Sequence, residues 1–279
     1  VNDLALYNEI DDFAADWLEN LIRAGEIAPG RVDRRSILDL TPDDILPYRQ
    51  VHFFAGIGGW SKAWRLVGWP DDQPGWSASL PCPPWSRGRI WHKETAGKKD
   101  HRDLWPAFFR LVKACRPARI TGEQVAGKKA QPWIDRTSRD LKKVGYNIHS
   151  DTRKANRYWS PQGRERFYFS ADLGSTRRQG LVESGSIGAA RPWRWRGEAD
   201  LRAIAKAPFK QGDCWPQPLI RRGDDGLRTR VASLRAYGNA IDPYVAAQFI
   251  AEVMEGRMTA KYPSNKPSPS STPRSGVGE

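Results

Sequence analysis

The stretch "FFAGIGGWSKAW" (residues 53–64) limits the fold more than any other part of the sequence. A short apolar run at 51–54 breaks into Gly56, Gly58 and Gly59 and resumes as a helical pattern over 60–67, which Gly68 and Pro70 end. A strand that turns through glycines into a helix is the unit with which α/β proteins receive nucleotide-type ligands, because the glycines let the backbone approach and the first helical N–H groups stay unpaired. No Gly-Lys-Ser/Thr follows, so this is not a Walker phosphate loop. On its own it is also a common structural turn. About fifty residues precede it, although such loops usually follow the first strand of their fold.

The flanking sequence repeats the alternation. Residues 4–10 read as a short strand, and Asp11 as the N-cap of a helix carrying Phe13, Ala14, Trp17, Leu18, Leu21 and Ile22, with Gly25 as its stop. "VDRRSILDL" offers another strand edge, and Pro42 with Asp43 and Asp44 a turn or helix start. "WSASLPCPPWS" is a strand running into a proline-rich loop, 104–115 an amphipathic helix, "ARITGEQV" a strand then a loop, 134–144 a helix stopped at Gly145, and "YNIHS" and "RFYFS" two further strands. Strands alternating with helices predict a layered α/β domain over 1–170, with a mainly parallel sheet and helices on both faces. Residues 171–230 lose periodicity and are rich in Arg, Gly, Pro and Trp, which predicts a smaller irregular region. Residues 231–258 return to the first domain through an apolar helix. The Pro/Ser-rich 259–279 has too few core formers to fold.

The formal net charge of +13 over 279 residues exceeds what solubility requires and points to a polyanionic partner, nucleic acid first. Cys82, Cys115 and Cys214 are odd in number, widely spaced and without a CxxC pair, so neither a disulfide framework nor a metal site is expected. No run approaches the roughly 18 apolar residues of a membrane span, and no secretion signal is visible. A cytoplasmic monomer is the expectation.

Several short segments carry reactive groups. Pro81 and Pro83 hold Cys82 on a stiff loop after a strand, as a nucleophile with a lowered pKa or as an ordinary small turn residue. "TGEQVAG" puts Glu123 at a strand end, as an acid for a bound base or a solvated charge. "PQGRERFYF" puts Arg164 and Arg166 two apart on an extended segment, so both point the same way, toward an anion or carbonyl or along a charged edge. "YGNAID" puts Asn239 before the last helix, as a turn residue or a ligand contact.

Each segment is weak alone, but their order is informative. "FAGIGG", "PCPPWS", "GEQV", "QGRER" and "GNAI" occur in the sequence in which the DNA (cytosine-5) methyltransferases carry their glycine loop, Pro-Cys loop, Glu-Asn-Val loop, Gln-x-Arg-x-Arg segment and Gly-Asn element. The chain resembles that family from about residue 6 to 254, with little support between 171 and 225. The family's next two cofactor segments find no room between Gly59 and Cys82. "YNEIDDFAADWL" and "RRSILDL", ahead of the glycine loop, look like them, with Ser36 where Asp is usual. The resemblance therefore implies a circular permutation in which the second and third strands come first, with a compact, phage- or prophage-like form.

The resemblance further implies a Rossmann-like S-adenosylmethionine-dependent methyltransferase sheet. Glu9 would take the cofactor's ribose hydroxyls and Ile10 would pack on its adenine. Ser36 and Ile37 would line the adenine edge. Phe54, Gly56, Gly58, Pro81 and Asn239 would complete the pocket. Cys82, Glu123, Arg164 and Arg166 would be catalytic, acting on cytosine flipped out of double-stranded DNA. Arg87, Arg89, Lys93, Lys98, Lys99 and Arg102 would grip phosphates, and 171–230, with "RPWRWR" and "IRRGDDGLRTR", would recognise the target. Pro83 for Gln and Gln124 for Asn depart from the family without removing a reacting group. An RNA cytosine methyltransferase and a catalytically silent DNA-binding homologue are the competing expectations.

Overall fold

The computed structural model describes residues 4–81, 103–128, 130–157, 164–173 and 240–256. They build one seven-stranded sheet flanked by six helices: β1 (Ala5–Asn8), α1 (Asp12–Arg23), β2 (Gly30–Asp33), α2 (Pro42–Ile45), β3 (Gln50–Phe53), α3 (Gly59–Leu66), β4 (Gly75–Ser79), α4 (Trp105–Cys115), β5 (Arg119–Val125), α5 (Gln131–Lys143), β6 (Tyr146–Lys154), β7 (Glu165–Leu173) and α6 (Pro243–Met254). Strand order across the sheet is β2-β1-β3-β4-β5-β7-β6. Strands β1 to β5 run parallel, and β7 is antiparallel to both β5 and β6. The expected mixed α/β class and mainly parallel sheet are both observed.

The glycine-loop strand β3 lies inside the sheet, and the two strands outside it, β1 then β2, are the first two of the chain. Counted outward from β3, this half has the 3-2-1 arrangement of nucleotide-binding sheets. The connectivity is rotated relative to that scheme, in the manner the motif order implies.

Alternation along the strands divides the core. Leu6, Val51, Phe53, Trp76, Ala78, Ile120, Phe167 and Phe169 pack under α2, α4 and α5. The opposite face meets α1 through Ala5 and Tyr7, and α3 and α6 through Tyr168. Beneath α3 the second face carries a buried row that the registers bring together: Tyr7, His52, Ser77, Thr121 and Ser170. It is held by hydrogen bonds, as buried polar groups must be. His52 Nδ1 pairs with Ser77 Oγ at 2.7 Å, and its ring stacks on Tyr7 with centroids 5.0 Å apart. The Tyr7 hydroxyl donates to Ala28 O at 2.7 Å and lies 3.0 Å from Ser61 Oγ on α3.

Two boundaries differ from the sequence reading. Strand β2 ends at Asp33, the second residue of the stretch read as a strand edge, because "RRSIL" turns away from the sheet: the Arg35 N–H donates to Asp33 Oδ1 and the Leu38 N–H to Ser36 Oγ. Strand β5 continues to Val125, so Glu123 sits inside a strand and not on a loop. Among the described residues no helix is long and apolar enough to cross a membrane, and no group of three or more His, Cys, Asp or Glu is placed to hold a metal.

Candidate active site

The carboxyl ends of the parallel strands converge on one edge of the sheet, where open α/β proteins bind ligands. Two clusters form there.

The first joins β1 and the glycine loop. Glu9 follows β1 and accepts from the Asp11 N–H through Oε1 (2.9 Å) and from the Gly56 N–H through Oε2 (2.7 Å). Residues 47 positions apart are thereby in direct contact, as the permuted order requires. Burial raises the pKa of Glu9 above the ordinary carboxylate value, and the backbone bonds oppose that rise. Beside it Ile10 is 67% exposed, an apolar side chain left on the surface at a strand end. The loop itself is bent against ordinary preference. Phe54 has φ 51°, an outlier for a bulky residue, and Gly56 and Gly58 have φ 55° and 80°. Such strain persists only where the surroundings impose it, and it gathers at ligand sites. Gly59 has a different reason: a Cβ there would lie 2.6 Å from Ile241 Cγ1, so it serves the packing of α3 on the segment entering α6.

The neighbouring strand end is tied in by Asn8, whose side-chain amide donates to Asp33 O (3.3 Å) and Arg35 O (2.7 Å). Arg35 spans Asp33 and Asp44 at 2.6 and 2.8 Å. Burial works against the Asp33 carboxylate, but the Arg35 bonds outweigh it and lower its pKa. Ser36 is half-buried, whereas Ile37 is 2% exposed and packs in the main core with Leu40 and Ile45. The Ile37 side chain is thus a core residue under α2 and α4.

The second cluster centres on Glu123, buried on the α3/α6 face of β5. Register sets Ser79 of β4 beside it on one side and Tyr168 of β7 on the other. Arg166 Nε lies 2.6 Å from Glu123 Oε1 and Arg164 NH2 3.6 Å from it. Both guanidiniums are ion-paired to the same buried oxygen, Arg166 closely and Arg164 more loosely. Burial raises the pKa of Glu123, against the pull of the two guanidiniums, and burial lowers that of Arg164. Arg164 also donates to the carbonyl of Ala240, tying β7 to the segment entering α6.

Gln124, the departure from the family's Asn, is buried. Its Nε2 donates to Leu80 O at 3.4 Å and its Oε1 accepts from the Val125 N–H at 2.8 Å. It therefore fastens β5 to the chain just before Pro81, which is exposed. Sequence reasoning missed this bond, and it missed Trp60, whose indole N–H donates to Ser79 Oγ at 3.1 Å. An aromatic residue directly after the paired glycines was the available signal. Cys82, Gln162, Asn239, the six basic residues at 87–102 and the segments 174–239 and 257–279 lie outside the described residues.

With this geometry in view, comparison with known proteins has a specific outcome. Residues 69–184 match the model of the family described as C-5 cytosine-specific DNA methylase. That span contains Glu123, Arg164, Arg166 and, in sequence, Cys82, whereas Glu9 and the glycine loop lie before it. No curated protein matches the sequence. Among solved structures, the Entamoeba histolytica methyltransferase EhMeth shares 12% identity, covers 93% of this chain and 100% of its own, and superposes with a TM-score of 0.50, which shows a methyltransferase fold. A protein described as a DNA modification methyltransferase encoded within a prophage (E. coli) shares 20% identity over 63% of this chain and 41% of that one, at a TM-score of 0.39. The S. pombe Dnmt2 methyltransferase shares 16% over 75% and 57%, at 0.37. The chain thus spans less than two thirds of the length of the latter two.

Proposed function

We propose that the protein is a DNA (cytosine-5) methyltransferase that modifies a cytosine flipped out of duplex DNA, with S-adenosylmethionine as the methyl donor. The observation that carries this reading is Glu123: a buried carboxyl group near the carboxyl end of a central strand, with one oxygen paired to both Arg166 and Arg164. Buried charged groups gathered where parallel strands end, with pKa values shifted by burial, mark functional sites, and a base with a ring nitrogen to be held gives this carboxyl group a role.

The residues at the first cluster fit the cofactor. Glu9 offers carboxylate oxygens suited to a ribose diol, Ile10 an exposed apolar face for adenine, and the strained loop at 54–58 leads into the amino end of α3, where unpaired N–H groups favour a carboxylate. When bound, S-adenosylmethionine supplies an electrophilic methyl group. Ser36 stands at the adenine edge, and Pro81 and Asn239 complete the pocket.

The chain's own groups then prepare the base. The Cys82 thiolate adds to C6 of cytosine, which turns C5 into an enamine-like carbon able to accept a methyl group. Protonated Glu123 hydrogen-bonds N3 and offsets the charge that develops there, and its raised pKa favours the form that can donate. Arg166 holds O2, with Arg164 beside it. Loss of the C5 proton expels the thiolate and restores the ring. Residues 171–230 read the target, and the surplus of positive charge supports a duplex partner.

The covalent step has its own test. Duplex DNA carrying 5-fluorocytosine at the target blocks loss of the C5 substituent, so the wild-type protein should form a stable protein–DNA adduct with cofactor present. Release of methylated product without any adduct would exclude thiolate addition.

A further inference from the structure

Trp60 is the second residue of α3, directly after the paired glycines, and is 3% exposed, so its packing alone explains a large apolar residue there. Packing does not explain the indole N–H. A buried tryptophan needs a partner for it, and the partner is Ser79 Oγ, the last residue of β4. Ser79 is three positions before Cys82 in sequence and stands beside Glu123 in the β4–β5 register. The same ring meets Tyr168 edge to face, with centroids 6.2 Å apart and planes at 76°. Tyr168 is the residue opposite Glu123 on β7. One side chain therefore touches both neighbours of Glu123 while its own backbone belongs to the helix that the glycine loop starts.

We propose that Trp60 is a positioning residue. It fixes the distance between the glycine loop and the Ser79–Glu123–Tyr168 row, and so between the bound methyl donor and the base. This rests on the methyltransferase reading above. Trp60 touches neither ligand and acts through Ser79 and Tyr168. A small error in the relative placement of two reacting centres lowers the rate of the chemical step without removing the contacts that bind each partner.

The test uses Trp60→Phe, Ser79→Ala, Ser79→Thr and the Trp60→Phe/Ser79→Ala double variant in the full chain. Three quantities are read: thermal stability, S-adenosylmethionine affinity by calorimetry, and the single-turnover rate of 5-methylcytosine formation on duplex DNA at saturating cofactor. Trp60→Phe keeps a ring and loses the donor, and Ser79→Ala loses the acceptor. Each should slow the single-turnover rate by about tenfold while the cofactor dissociation constant stays within about threefold. The double variant should be no slower than the worse single, because both changes remove one bond. Ser79→Thr keeps the hydroxyl and should keep the rate. A wild-type rate in Ser79→Ala, or losses that multiply in the double variant, would overturn the inference. If Trp60→Phe does not fold, Ser79→Ala against Ser79→Thr decides alone. If the wild-type protein methylates no cytosine substrate, the methyltransferase reading fails and this inference fails with it. If the wild type is active and the variants match it, only the positioning role is lost.

Discussion

His52 gives a pH dependence that can be worked out from its surroundings. The ring is 1% exposed, lies between Tyr7 and Trp64, and has Ser77 and Gln50 as its polar neighbours. No carboxylate is among these contacts, so burial lowers its pKa from the ordinary 6.5 to about 3. The folded protein then holds fewer protons at this site than the unfolded chain throughout the interval between those values. Stability rises with pH wherever the unfolded state binds more protons. The contribution is complete above pH 6.5 and is lost as pH falls toward 3. At pH 5 the unfolded chain gains from protonation about 1.5 pH units below its pKa while the folded protein gains almost nothing, a loss of about 2 kcal/mol relative to neutral pH. Urea denaturation followed by tryptophan fluorescence at pH 8, 6 and 5, on wild type and His52→Gln, isolates the effect because carboxylate contributions are common to both. The variant should be less stable at pH 8, having lost the fit to Ser77. Between pH 8 and 5 the wild type should lose about 2 kcal/mol more than the variant. Parallel curves would refute the claim that the polar row under α3 holds a neutral, dry imidazole.

Three other substitutions probe the two clusters and the sheet. Gly122→Ala places a Cβ 2.2 Å from the Phe169 ring and should cost about 1–3 kcal/mol in denaturant titration, since β5 and β7 are directly paired there. Glu9→Ala removes the carboxylate that holds the Gly56 N–H and should raise the S-adenosylmethionine dissociation constant about 10- to 100-fold by calorimetry, as expected for a charge-assisted bond. Arg166→Met breaks the closest ion pair of buried Glu123; it should lower stability by about 3–5 kcal/mol and abolish 5-methylcytosine formation in the fraction that remains folded.

Local chemistry made much of this fold legible. Asp11 was read as an N-cap and does accept from the Ala14 N–H, and the glycine loop was placed between its strand and helix correctly to within a residue. Strand β2 was misplaced because "GRVD" carries two charges in four residues and presents no apolar alternation, with no strand beyond it among the described residues. The association of Glu9 with Gly56 followed from motif order, which also implied that the first strands had moved. The rows across the sheet were invisible, since Ser79, Glu123 and Tyr168 meet only once strand order and register are known. Trp60 and Ser79 are 19 residues apart, and a lone Trp at a helix start reads equally well as core. Ile37, assigned by motif to the adenine edge, is also a buried member of the main core, a packing role that the motif did not reveal.

The central claim concerns transfer of a methyl group to C5 of cytosine in duplex DNA by a cysteine-dependent route. Incubating the full chain with duplex DNA and S-adenosylmethionine, then mapping 5-methylcytosine at base resolution, tests it directly. The expected result is methylation confined to one sequence motif and absent with Cys82→Ala. A folded wild-type protein that binds the cofactor yet leaves every cytosine unmodified, or methylation that persists in Cys82→Ala, would contradict the account.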